Sequence, residues 1–288
     1  MKKHFYYTIS LLSVSFILFS CSKELDLDFQ YSEPLLVIEG WIEQDGSAKI
    51  LLTRSIPYFG KVESDSELMN LSVRTAKVIL AGNGDFEILT LKRNEQYFPP
   101  YIYTSNKILG EINGSYTLTV ISSGDTIFSH TTIPEPVQLD SAWFQYEDGN
   151  DTAGRVWIQF TDRAESIDYY RVFTQRIGKD KRFVPSYIST IPDKVFNGGT
   201  MKVGLLRGAG SLIQVGESRY FEKGDTILVK FCTLDKEHFD FWDSVQSEII
   251  TSANPFAASN ARVKSNVTNP GFGIWGGYGS NYYTVIAK

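Results

Sequence analysis

Three short polar turns, each set between two apolar runs, constrain this chain most. Gln44-Asp45-Gly46-Ser47 parts Leu35–Trp41 from Ala48–Arg54. Gly82-Asn83-Gly84-Asp85 parts Ala76–Ala81 from Phe86–Leu91, and Ser122-Ser123-Gly124-Asp125 parts Ser115–Ile121 from Thr126–Thr131. Asn, Asp and Gly supply the positive φ angles that a tight antiparallel reversal needs. In the third pair, Tyr116, Leu118 and Val120 alternate with Thr117, Thr119 and Ile121, the period of a strand with one buried face. Three hairpins within residues 34–133 predict an antiparallel sandwich of immunoglobulin or fibronectin type. Pro57–Asn70 reads as a polar loop.

Thr131-Thr132-Ile133-Pro134-Glu135-Pro136 is the expected domain boundary, because two prolines stiffen the chain and remove donors that a sheet would use. Residues 137–288 then form a second β domain. Its strands are expected at Leu139–Tyr146, Val156–Thr161, Tyr169–Ile177 and Thr226–Thr233, with Tyr282–Ala287 closing the chain. One helix is predicted at about 236–252. Asp235 caps it, and Phe239, Trp242, Val245 or Gln246, Ile249 and Ile250 share a face that should pack on a sheet. Pro255 ends it. With 42% hydrophobic and 14% aromatic residues, the chain can fill such cores. The expected fold is mainly β: two antiparallel β-sandwich-like domains, the second with one amphipathic helix.

The amino-terminal segment speaks to location. Lys2 and Lys3 precede an uncharged run of 15 residues, Phe5–Phe19, short of the ~20 that span a bilayer and suited to a signal peptide. Leu18-Phe19-Ser20-Cys21 resembles a lipobox, in which Cys21 is diacylated and residues 1–20 are removed; bulky Phe19 departs from the pattern. Residues 21–33 then form a tether, in which Glu24, Asp26 and Asp28 are acidic. This stretch resembles the surface-export signal of Bacteroidota lipoproteins. Losing Lys2 and Lys3 takes the formal charge from −5 to −7. That balance suits neither nucleic acid nor an anionic bilayer face, so membrane attachment rests on the lipid at Cys21.

Chemistry-bearing patterns are sparse. Gly271, Gly273 and Gly276 fit G-x-G-x-x-G, but no helix pattern follows before the chain ends at Lys288; close backbone packing is the expected role. His130 and His238 have no partners at metal spacing, so no metal, cofactor or catalytic residue is assigned. Asp148-Gly149-Asn150-Asp151 lacks the full spacing of a calcium loop and reads as a solvated turn. Cys232, in the apolar run Ile227–Cys232, is expected to be a buried hydrophobe. The candidate contact surface is aromatic. Tyr97, Phe98, Tyr101 and Tyr103 surround Pro99-Pro100, which should confine them to a loop or edge. These rings, with Trp275 and Tyr278, either contact a ligand or partner or fold back over the sandwich.

The ordered pieces Val37-Ile38-Glu39-Gly40-Trp41-Ile42, Gly114–Val120, Tyr169-Tyr170-Arg171-Val172, Gly224-Asp225-Thr226 and Gly273–Tyr278 resemble a Bacteroidota outer-membrane lipoprotein family catalogued as domain-of-unknown-function family 4249. The resemblance covers nearly the whole chain after Cys21 and carries no catalytic residue. It implies an outer-membrane, lipid-anchored location and association with TonB-dependent receptors. The function expected is ligand capture or accessory work for such a nutrient receptor, with an unknown small ligand. The alternatives are a structural scaffold or adhesin and, third, a surface hydrolase.

Overall fold

The computed structural model describes residues 34–56, 64–192, 196–208, 218–252 and 262–288. The expected signal peptide, Cys21 and the expected tether lie outside the described residues. From Pro34 to Lys288 the chain forms one compact unit.

The first hairpin is β1 (Leu36–Glu43) and β2 (Ser47–Arg54), with Asp45 at φ 59° in its turn. Then come the short helix α1 (Asp65–Asn70), β3 (Lys77–Gly82), β4 (Asp85–Ile88), β5 (Thr90–Arg93), β6 (Tyr101–Leu109), β7 (Ser115–Ser122) and β8 (Asp125–Thr132). The second half holds β9 (Ser141–Tyr146), β10 (Ala153–Thr161), β11 (Tyr169–Arg176), β12 (Val184–Pro192), β13 (Thr200–Leu205), β14 (Phe221–Glu222), β15 (Thr226–Leu234), α2 (Lys236–Ser252) and β16 (Gly271–Ile286).

Eight strands form one sheet in the order β12-β11-β15-β16-β1-β2-β6-β5. One face of it packs on two smaller sheets. β4-β3-β7-β8 covers the first half, burying Ile38, Ile50, Leu80, Tyr116, Leu118 and Trp275. The sheet of β9, β10, β13 and β14 covers the second, burying Ile158, Phe160, Tyr170, Phe221 and Phe231. The mainly β, sandwich-like expectation matches this architecture.

The boundary at 131–136 does not divide the sheet, because β16 serves both halves. Its first eight residues pair in parallel with β1, from Leu36↔Gly271 to Glu43↔Tyr278; its last eight pair antiparallel with β15, from Thr233↔Gly279 to Thr226↔Ile286. The closing strand is therefore 16 residues long and takes in the glycine-rich run. Glycine is required there by crowding. At Gly277 and Gly279 a Cβ would strike the backbone carbonyls of Thr132 and Pro134, and at Gly276 the ring of His238. The proline-containing segment thus crosses β16, and Gly277 N–H donates to Thr131 Oγ1 at 2.8 Å.

Three local expectations change. The run Phe86–Leu91 splits at buried Leu89: β4 stays with β3, and β5 moves to β6 in the large sheet. Part of the expected loop at 57–70 is helix α1, capped by the Ser64 hydroxyl accepting from Glu67 N–H at 3.3 Å. On α2, Ile249 and Ile250 are exposed, while His238, Phe239, Phe241 and Ser244 are buried. Only the first turns of α2 lie on the sheet, so the buried stripe follows that contact and the late apolar pair projects beyond it.

Candidate functional site

The site is the second face of the large sheet, where the halves meet. Strand alternation turns Leu36, Ile38 and Ile42 inward, and so aims Glu39, Trp41 and Glu43 outward. Tyr278, beside Glu43 in register, shares that face, as do Lys230 opposite Tyr282, Cys232 opposite Ser280, and Arg171 opposite Cys232. Phe173, Cys232, Leu234 and Tyr278 form a third apolar cluster there, with Trp41 and Phe183 packed against it. Helix α2 lies on the same face, where its His238 ring meets Tyr278 with centroids 4.4 Å apart.

Charges are embedded among these rings. Lys230, 6% exposed, bonds Glu43 at 2.5 Å, and Tyr282 O–H donates to the other Glu43 oxygen at 2.7 Å. Burial raises the Glu43 carboxyl, but attraction to Lys230 and these hydrogen bonds outweigh it and hold it below the usual range. Arg171 is 4% exposed; its guanidinium stacks 3.6 Å from the Trp242 ring centroid and 4.8 Å from that of Phe173. Its Nη1 donates to Tyr278 Oη at 2.7 Å. Glu39 is open to solvent yet walled by protein. That desolvation raises its carboxyl, with Arg171 and Arg182 opposing. Burial pushes the Cys232 thiol up to about 11, so it is an inert packing group at neutral pH.

The structure separates the aromatic candidates. Tyr97 reaches the site: its ring lies 5.7 Å from Trp41 and 5.4 Å from the Arg182 guanidinium. Tyr278 is in the centre of it. Tyr103 and Trp275 instead belong to the first core, at 3% and 0% exposure. Tyr103 O–H donates to Val73 O, and Trp275 Nε1–H donates to Tyr116 O, both within 3.2 Å. Tyr101 instead lies under the Arg74 guanidinium, 4.9 Å from its ring centroid, and Phe98 is exposed. The prolines end the turn rather than keep Tyr103 at an edge: β6 begins at Tyr101 and lies between β2 and β5.

Arg171, Lys230, Glu43, Trp41 and Trp242 were absent from the sequence-based candidates. Their signal is a lone charge at an outward position of an otherwise apolar strand, as in Tyr-Tyr-Arg-Val-Phe and Ile-Leu-Val-Lys-Phe. A depression of about 340 Å³ beside α2 contains Asp240, but Lys236 and Lys264 already pair with it. Among the described residues no group of His, Cys, Asp and Glu is placed to hold a metal ion, and no helix is long and apolar enough to cross a membrane.

No curated protein matches the chain. Residues 22–283, a span that takes in β1 to β15 and β16 as far as Tyr283, match the family described as "Domain of unknown function (DUF4249)", and the chain belongs to that family.

Proposed function

We propose that this chain is a lipid-anchored outer-membrane lipoprotein of the Bacteroidota type that captures a small ligand for a TonB-dependent nutrient receptor. Leu18–Cys21 supports the anchor, and the acidic residues after Cys21 support display at the cell surface. The observation that carries the capture reading is the outer face at the junction, where buried cations and aromatic rings stand together beside open Glu39 and Arg182. A stability-driven face would hold aliphatic side chains, since an ion pair under such a surface adds little over an apolar pair of like volume.

Fractionation of native cells tests the anchor: the wild-type chain should stay with the membranes and Cys21→Ala should appear in the soluble fraction. Affinity recovery of the tagged protein from detergent-solubilised membranes tests the partner, and a TonB-dependent receptor should co-purify. One observation favours a scaffold instead. Phe86, Ile88 and Phe128 are 69%, 56% and 47% exposed on the outer face of the β4-β3-β7-β8 sheet, where Ile88, Ile79, Thr119 and Phe128 line up in register. Repeated recovery without a receptor, together with a deletion strain that grows normally on every nutrient tried, would select the scaffold.

A further inference from the structure

We propose that Arg171 anchors a binding site for a small organic anion, whose carboxylate or phosphate oxygens take donors on the outer sheet face and whose apolar body lies on the neighbouring rings. The inference rests on the capture reading of this face and names the class of ligand.

The argument is an account of donors. A buried guanidinium normally meets a carboxylate, because an unpaired buried charge is costly. Among the described residues Arg171 has no ion-pair partner. Lys230 holds Glu43, and Glu39 is exposed and acts on Arg171 only at longer range. Arg171 Nε–H is buried with no hydrogen-bond partner, and so is Trp242 Nε1–H, although these two side chains touch. Tyr278 Oη accepts from Arg171 Nη1, and its own proton has no acceptor among the described residues. Arg171 contacts both other groups, so three unspent donors gather around one guanidinium, and the Glu39 carboxylate acts on its charge without pairing with it. Such a set complements an oxyanion.

The scaffold is the large sheet and the helix packed on it. Arg171 and Tyr278 sit on strands inside the eight-stranded sheet, and Trp242 sits on the part of α2 packed against it. The apolar wall comes from Phe173, Trp41 and Phe183, and Tyr97 lies on Trp41. Glu39 and Arg182 at their edge are exposed, and this is the side from which a ligand would have to reach the donors.

The test uses the chain from Ser22 onward and titration calorimetry with three probes: phenylacetate, its neutral analogue phenylacetamide, and inorganic phosphate. Binding of phenylacetate without phenylacetamide supports a carboxylate site, and binding of phosphate supports a phosphate site. Tyr278→Phe removes one donor and keeps its ring, and Trp242→Phe removes one donor and leaves a smaller aromatic ring under Arg171, so folding should persist. Each should weaken binding roughly tenfold, the loss of one hydrogen bond to a charged group. Arg171→Gln should abolish it, and a cooperative thermal transition will show that the variant is folded. Failure of both anions to bind wild-type protein at about 10 mM overturns the proposal. So does equal binding of phenylacetamide, or unchanged affinity in both conservative variants. The two readings fail separately. Receptor recovery without anion binding removes this inference alone, whereas anion binding without receptor recovery removes the transport role alone.

Discussion

His238 should make the fold weaken in mild acid by an amount the structure sets. Its ring is 1% exposed, and its Nδ1 lies 3.2 Å from the Gly277 carbonyl, which the neutral tautomer satisfies by donating Nδ1–H. Burial dominates the environment and disfavours the imidazolium. Asp235, which caps α2 through the His238 backbone N–H at 2.8 Å, opposes that effect, while Arg171 and Lys230 add to it. The folded-state value is lowered to about 4 from 6.5. A depressed histidine binds its proton in the unfolded chain first. Stability is therefore intact above 6.5, falls as pH drops through the interval to about 4, and levels off below it. At 1.36 kcal/mol per unit the full interval is worth about 3 kcal/mol.

The perturbation is His238→Gln, read as the difference in urea-unfolding free energy between the two proteins at steps from pH 7 to 4. Carboxylates titrate in both and largely cancel in the difference. The wild-type advantage should shrink by roughly 1.4 kcal/mol per pH unit between pH 6 and 4.5. Parallel curves over that interval would refute the argument, because they would mean that the imidazole titrates alike in folded and unfolded chains.

Three further outcomes follow from the packing. Gly276→Ala places a methyl group against the His238 ring and should cost about 1–3 kcal/mol, seen as a lower melting temperature; His238→Ala in the same chain should return part of the loss. Lys230→Ala strands the buried Glu43 carboxylate and should cost about 3–5 kcal/mol in denaturant unfolding at pH 7, less at pH 4, where protonation begins to remove the charge. Residues 34–133 expressed alone lack β16 and Trp275, so calorimetry should show no cooperative transition; a sharp one would mean that the first sandwich closes without the carboxyl-terminal strand.

How much of this was legible in the chain depends on range. The hairpin at Asp45-Gly46 and the alternation of Tyr116, Leu118 and Val120 are local: turn chemistry and strand period act over a few residues, and they place β1, β2, β7 and β8 without further help. The same holds for α2 as an element, and for Cys232 as a buried hydrophobe. The face that α2 buries was not local. Its stripe depends on which turns reach the sheet, so Ile249 and Ile250 read as core and are exposed.

The site was less legible still. Tyr97 and Tyr278 could be named from aromatic density, but the same density named Tyr103 and Trp275, which are core. Arg171 and Trp242 are 71 residues apart in sequence and meet only because β11 and α2 pack together. Sequence by itself determined the hairpin strands, their turns and the period of their buried faces, since those follow from backbone sterics and the hydrophobicity of near neighbours. Tertiary structure alone decided that a glycine-rich tail returns to pair with β1. That long-range pairing joins two apparent domains into one sheet, and it sets Glu43, Arg171, Lys230 and Tyr278 on a single face.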